Sequence, residues 1–242
     1  MQLIKLDAID STNEFLKGLS NNQILENFTV VTAENQTNGK GQMGAIWDSE
    51  PSKNLIMSIL VGDFVTDINQ IFTINIVISI AVIQALKDFT IPDLSIKWPN
   101  DIMSYNKKIG GILIENSIKS DGSINSIVGL GLNVNQINFE HLPKASSLSV
   151  ICKTTFDKEE ILLKIVENLE KNIQNWNQNS HLLWSVYGNK LFKKGMPMPF
   201  EDQNQQKFMG IIQGVSPIGK LEILLEDDSV SEFDIKEIQM LY

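Results

Sequence analysis

Three stretches of this sequence concentrate glycine, lysine, amide and carboxylate residues at spacings that can do chemistry. The first is Gly39-Lys-Gly-Gln-Met-Gly44. Its glycines let backbone N–H groups approach an anion, and Lys40 adds a charge. No Gly-Lys-Ser/Thr follows and the Rossmann spacing is absent, so neither of those phosphate-binding loops is present. An ordinary flexible loop has the same composition. The second stretch is Lys97-Trp-Pro-Asn-Asp101, followed by Lys107-Lys108 and Gly110-Gly111-Ile-Leu-Ile-Glu115. Pro99 holds Trp98 extended and presents Asn100 and Asp101 just past a strand. A carboxylate there can take a metal or orient a ligand, and paired lysines on a turn can neutralise developing negative charge. Solvated turn residues are the plain reading of each one alone. The third, Gly129-Leu-Gly-Leu-Asn-Val134, leaves room on one strand for a flat ligand or for a closely packed helix.

Composition limits what these residues can hold. The 242-residue chain has 20 basic and 29 acidic residues, a formal charge of −9, which argues against a broad nucleic-acid surface. Every basic residue is lysine; there is no arginine. Bound anions must therefore rely on lysine, backbone N–H groups, helix N-termini or a metal. Cys152 is the single cysteine, and His141 and His181 lie far apart, so no structural metal pattern appears. The N-terminal residues contain no apolar signal core. The most apolar stretch, Ile74 to Leu86, is interrupted by Asn75, Ser79 and Gln84 and falls short of the ~20 residues that span a bilayer. A soluble, cytoplasmic chain with no membrane contact is expected.

The elements that must position these motifs follow from pattern. Asp10-Ser-Thr predicts a helix start, with Glu14, Phe15 and Leu16 opening a short amphipathic helix. Strands are predicted at Phe28 to Ala33, Leu55 to Val61, Leu94 to Trp98, Gly111 to Asn116 and Ile124 to Leu132, with turns at Tyr105-Asn-Lys-Lys and Asp121-Gly. Ile68 to Phe89 and Asp157 to Trp176 carry apolar residues at helical spacing. After Lys194 the texture changes. Phe208 to Val215, Leu221 to Leu225 and Val230 to Ile235 read as short strands, with a tight turn at Asp227-Asp-Ser, which suggests a small β-barrel. The division expected is 1–192 and 193–242.

Together the motifs resemble the biotin protein ligases. Asp10-Ser-Thr-Asn13 resembles the family's N-terminal biotin signature. Thr32-Ala-Glu-Asn-Gln36 through Trp47 resembles its adenylate loop, usually Gly-Arg-Gly-Arg-x-Gly-Arg with a tryptophan. Lys97-Trp-Pro-Asn-Asp with Lys108-Ile-Gly-Gly-Ile-Leu-Ile-Glu is similar to its most diagnostic stretch. Gly129 to Asn133 matches a glycine-x-glycine-x-asparagine strand, and Ser146-Ser-Leu148 resembles a weaker element. The resemblance departs at the loop, where Lys40, Gln42 and Ala45 stand in place of arginines.

The resemblance implies an α+β fold: a mixed sheet flanked by helices, shared with class II aminoacyl-tRNA synthetases, and an SH3-like C-terminal domain. On that reading, 1–192 is the biotin- and ATP-binding catalytic domain and 193–242 the SH3-like one. It also implies synthesis of biotinyl-5′-AMP from biotin and MgATP, then transfer of biotin to a lysine of a biotin carboxyl carrier protein. Ser11, Thr12 and Gln36 would bind the biotin ring, with Gly39, Lys40, Gly111 and Gly129 beside it. Lys108 would touch the biotin carboxylate and the α-phosphate, and Lys40 and Gln42 would face the adenylate. Asn100 and Asp101 would orient phosphate and Mg²⁺, and Asp101 would guide the incoming amine. Trp47 would stack on adenine and Asn133 bind its edge. With the Ser-Thr-Asn signature starting at residue 11, no N-terminal DNA-binding domain and no repressor role are expected; a homodimer is left open. Two other readings stay open. A lipoate or octanoate ligase or transferase shares the fold, although its Arg-Arg-x-x-Gly-Gly-Gly signature is absent. A biotin- or adenylate-binding protein without catalysis is the other, motivated by the altered loop.

Overall fold

The computed structural model describes residues 1–118 and 122–242. Along the chain lie β1 (Leu3–Ile9), α1 (Thr12–Asn22), β2 (Val30–Gln36), β3 (Leu55–Gly62), α2 (Phe72–Asp88), β4 (Leu94–Lys97), β5 (Asp101–Ser104), β6 (Lys107–Ile118) and β7 (Ile124–Leu132). There follow α3 (Leu148–Cys152), α4 (Lys158–Gln174), α5 (Trp176–Asn189), β8 (Pro197–Asp202), β9 (Lys207–Val215), β10 (Leu221–Leu225), β11 (Val230–Phe233) and β12 (Ile238–Met240). Asp121, half of the expected hairpin turn, lies outside the described residues.

The first seven strands form one mixed sheet in the order β1-β2-β3-β7-β6-β5-β4, parallel only between β1 and β2. The mixed sheet with helices on its faces is as expected. α1 lies on one face, where Leu16 buries against Val31, Leu60 and Ile127. Its N-cap is Ser11, whose hydroxyl accepts from Glu14 N. α2, α4 and α5 pack together, and α2 contacts β4 and β6 of the sheet. α4 begins at the cap Asp157, which accepts from two backbone N–H groups, and buries Ile161, Leu162, Ile165, Val166 and Leu169 on one stripe.

Helix α2 falls within the helix expected over Ile68 to Phe89. With the preceding short turn it forms a 21-residue segment, Ile68–Asp88, long and apolar enough to cross a bilayer. It is nonetheless a core helix, with nearly all of its residues buried. Its polar interruptions are used inside: Asn75 donates to Pro99 O, Ser79 to Asn75, and Gln84 accepts from Asn172.

The C-terminal strands form a five-stranded antiparallel sheet, β11-β10-β9-β8-β12, as an SH3-like unit requires. Its core is continuous with the rest: Phe200, Ile212, Leu221 and Ile223 belong to the same buried cluster as Ile96, Trp98 and Tyr187. Trp98 Nε1 donates to Gly219 O at 2.9 Å. Gly219 has φ +94° and presses on Phe72, whose ring lies 2.5 Å from where a Cβ would sit. Glycine is required there on both counts.

Candidate functional site

The register of the large sheet explains how distant motifs meet. Lys97 pairs with Asp101, Asp101 with Gly111, Gly111 with Gly131, and Gly131 with Ile56. Paired residues share a face, so one transverse row carries a lysine, a carboxylate, two glycines and an apolar side chain. Two residues along the strands, still on that face, Leu113 pairs with Gly129 and Gly129 with Ser58. α1 and the loop after β2 cover these rows. The pocket is lined by Ser11, Thr12, Asn13, Gln36, Lys40 and Gln42 from above, and by Ile56, Met57, Asp101, Lys108, Gly111, Gly129 and Gly131 from the sheet, with Asn100 and Trp47 completing the lining.

One end is a satisfied polar network. Thr12 donates through its backbone N and its hydroxyl to Gln36 Oε1, at 2.8 and 3.1 Å. Ser58 Oγ lies 2.7 Å from Thr12 Oγ1 and 2.6 Å from Asn13 Oδ1. Asn13 Nδ2 donates to Glu115 at 2.9 Å. A Cβ on Gly129 would sit 2.4 Å from Asn13 Oδ1, so the glycine makes room for that amide.

The other end gathers charge. Lys108 Nζ lies 2.6 Å from Asp101, and Lys97 reaches the second oxygen of the same carboxylate at 3.7 Å. Burial is the main influence on Lys97 and holds its ammonium below the usual lysine range, against the pull of Asp101. Asn100 Nδ2 donates to Ile112 O at 2.7 Å and ties the Pro99 turn to β6. Lys108 is fixed on both sides, its N–H donating to Lys144 O and its carbonyl accepting from Ser146 N.

The loop is a small hairpin, with Trp47 N donating to Gly39 O and Gly41 N to Ala45 O. It lays the Trp47 indole flat on β7, where a Cβ on Gly131 would come within 2.3 Å of the ring. Lys108 Nζ lies 5.6 Å from the ring centre. The indole Nε1 is buried and has no hydrogen-bond partner among the described residues. Lys40, the loop's charge, is paired with Glu14 at 2.6 Å. That contact holds the Glu14 carboxyl below its usual range and Lys40 above its own. The pocket measures about 160 Å³, small beside the ~300–1,000 Å³ of ligand sites generally, because the indole fills part of it.

The structure thus brings Ser11, Thr12, Gln36, Lys40, Gln42, Trp47, Asn100, Asp101, Lys108, Gly111 and Gly129 around one pocket. Asn133 and Gly39 stand off its lining. Asn133 is buried and donates to Ser146 O at 3.0 Å; Gly39 is pressed against the Trp47 carbonyl, 2.3 Å from where a Cβ would be. Sequence reasoning gave no place to Ser58, nor to Lys97 as the second partner of Asp101. The alternation along β3 and the one-to-one register with Gly129 hold the signal for Ser58. Among the described residues no three His, Cys, Asp or Glu side chains cluster as a metal site.

Comparison with known proteins agrees with this geometry. Residues 6–133 match the Biotin/lipoate A/B protein ligase family. The proteins named bifunctional ligase/repressor BirA from Bacillus spizizenii and Bacillus subtilis are each 30% identical over 193 residues, 76% of this chain and 59% of theirs. A biotin–[acetyl-CoA-carboxylase] ligase of Mycobacterium tuberculosis is 26% identical over 195 residues, 79% of this chain and 71% of that protein. Among solved structures, the biotin protein ligase from Aquifex aeolicus in complex with biotin and ATP superposes with a TM-score of 0.82 at 28% identity, covering 99% of this chain and 98% of that one.

Proposed function

The chain belongs to the biotin/lipoate A/B protein ligase family, and within it we propose that it is a biotin protein ligase acting on a biotin carboxyl carrier protein. The observation that carries this is the pocket's polarity. A lysine–carboxylate pair stands at one end and a buried array of hydroxyls and amides at the other, with Ile56 and Leu113 the apolar side chains on the same face of the sheet. Biotin has that order of parts: a carboxylate, an apolar chain and a ureido ring that needs both donors and acceptors. A lipoate ring, whose only heteroatoms are sulfur, would cover the hydrogen-bonding positions of Thr12, Asn13 and Gln36 that their mutual contacts leave unused and would offer them no partner, which disfavours it. Biotin and ATP are also the molecules named with the Aquifex neighbour.

In the first step a biotin carboxylate oxygen attacks the α-phosphorus of ATP. The bond to the bridging oxygen breaks, and pyrophosphate leaves with that electron pair. In the second, the ε-amine of the carrier lysine attacks the acyl carbon, AMP departs, and the amine loses a proton. Lys108 meets the charge that collects on carboxylate and phosphate, a role suited to a compact ammonium. Asp101 holds Lys108 in place and faces the approaching amine. Ser11, Thr12 and Gln36 hold the ureido ring, and Trp47 moves off Gly131 to lie against the adenine. Both Asp101 oxygens face ammonium groups, and among the described residues no three His, Cys, Asp or Glu side chains cluster to hold a metal. Mg²⁺ would therefore enter as part of MgATP, with Asp101 the protein carboxylate that could help hold it, and would supply charge neutralisation to the phosphates. The test is ATP–pyrophosphate exchange with biotin, lipoate or octanoate. Exchange with biotin alone supports the proposal; exchange with lipoate or octanoate, or none at all, overturns it.

A further inference from the structure

Beside the reaction pocket, and outside its lining, lies an open hollow of about 370 Å³ formed by Asn106, Lys107, Pro143, Lys144, Lys193, Met198 and Tyr242. Three of these seven residues are lysines, on a chain whose formal charge is −9. None of the three forms an ion pair among the described residues. Lys107 Nζ donates to Pro143 O, Lys144 Nζ sits 4.3 Å over the Tyr242 ring, and Lys193 Nζ sits 5.1 Å over Phe192. The floor is apolar: Tyr242 packs edge-on against Phe192 with ring centres 5.2 Å apart. The hollow is also coupled to the chemistry. Tyr242 lies under Lys97, the partner of Asp101, at 5.4 Å, and Lys107 precedes Lys108 on β6.

We propose that this hollow docks the acceptor protein through carboxylates flanking its target lysine. The inference rests on the ligase reading above. A lysine reaches out on a four-carbon stem, so the acceptor's own surface must settle on the rim of the pocket that holds Lys108 and Asp101. An acidic chain repels an acidic partner at long range, and a local cluster of uncompensated lysines reverses that field where contact is made. The shape favours a protein surface over a phosphate group. The lysines stand around an aromatic and thioether floor, and the Lys107 ammonium is already turned to a carbonyl. An apolar centre with a charged rim is the ordinary build of a protein interface.

The test compares the full-length chain with its Lys144→Glu/Lys193→Glu variant in two assays run on biotin and ATP. One traps activated biotin with hydroxylamine, a small nucleophile that yields biotinyl hydroxamate and AMP and needs no docking. The other follows biotin transfer to a purified apo carrier domain whose target lysine is flanked by carboxylates. The double variant should form hydroxamate at a rate within about twofold of the parent. Its kcat/KM for the carrier should fall at least about tenfold, mainly through KM, and the gap should close at high salt. Lys144→Gln/Lys193→Gln should show a smaller loss of the same kind and guards against misfolding of the reversed pair. Unchanged transfer overturns the proposal. Parallel loss of both activities also overturns it and assigns these lysines to the nucleotide. A parent protein that forms no hydroxamate overturns the ligase reading itself, and this one with it.

Discussion

At the Ser11 end of the pocket Thr12, Asn13 and Ser58 all have hydrogen-bond partners, whereas at the Trp47 end the indole Nε1 has none and Lys40 is engaged with Glu14. The first region is built on α1 and β3 and is fixed before any ligand arrives. The second hangs on a hairpin of glycines, its indole N–H without a partner among the described residues and its lysine held by Glu14 of α1. On the proposed function, binding at the first end would cost little reorganisation, whereas an adenylate at the second would have to displace Trp47 and draw Lys40 from its carboxylate. On that reading the ring-binding end is ready and the nucleotide end is assembled on demand.

Lys108 sits where the two regions meet, and its loss should have the largest effect. Lys108→Ala should lower biotin-dependent pyrophosphate exchange by at least about 10²-fold, the range seen when a single preorganised charge-stabilising donor is removed. Biotin binding by calorimetry should weaken far less, because the ring network does not include Lys108. Loss of both together would place Lys108 in the fixed region and dissolve the distinction. Lys97→Met is the gentler companion: it removes one of the two ammonium groups on Asp101, so exchange should fall less than in Lys108→Ala.

Gly129 and Gly131 stand two residues apart on β7 and test the contrast within one strand. An added Cβ at Gly129 meets Asn13 Oδ1 at 2.4 Å, inside a buried hydrogen-bonded cluster. Gly129→Ala should therefore lower stability by about 1–3 kcal/mol, read as a drop in Tm, and weaken biotin binding. At Gly131 the collision is with the Trp47 indole, carried on the loop. Gly131→Ala should push the indole out and change tryptophan fluorescence with a much smaller change in Tm. Equal losses of Tm would mean that the loop is as rigid as the network.

The backbone that carries the site is legible in the sequence, and the reasons are local. Lys97-Trp-Pro-Asn-Asp101 and Gly129-x-Gly131 announced a strand end and a bare strand, because proline and glycine act on the backbone wherever they occur. The edge strand β1 gave no such signal: its partly exposed residues lack a clean alternation. α5 was missed because Asn175 ends α4 and α5 begins at the next residue, Trp176. The merging of the two sheets into one core was equally out of reach, since Trp98 meets Gly219 across 121 positions of sequence. Asn133, which the resemblance assigns to the adenine edge, is buried and donates one amide N–H to Ser146 O.

The loop's missing arginines give a smaller effect. Gln42 lines the pocket without a charge. A hydrogen bond to a charged partner contributes about 1.5–3 kcal/mol against about 0.5–1.5 for a neutral pair. Gln42→Arg should thus slow release of biotinyl-5′-AMP by up to about tenfold, since 1.4 kcal/mol is one decade. Labelling of a bystander protein should fall in step. Release that is no slower would mean that backbone N–H groups or other lysines already hold the phosphate.

The smallest effect concerns the contact that engages the Lys40 charge at the pocket with Glu14. Its pairing with Glu14 lowers the Glu14 pKa and raises that of Lys40, chiefly through the hydrogen bond between them. A depressed carboxylate pKa means that the contact is fully present above the ordinary Glu value near 4.3 and is lost as pH falls through the lowered one. A raised lysine pKa means that it is present below about 10.4 and lost as pH rises through the raised one. At neutral pH the contact is therefore closed. Both side chains are well exposed, so only a few-fold change in adenylate binding is expected from Glu14→Gln, in the direction of faster association. The advantage of the variant should shrink with added salt, which loosens the parent's pair, and should disappear as pH drops low enough to protonate Glu14 in the parent. If Glu14→Gln instead slows association at neutral pH, the pair is presenting Lys40 to the nucleotide, and the loop is as prepared for its ligand as the ring-binding network.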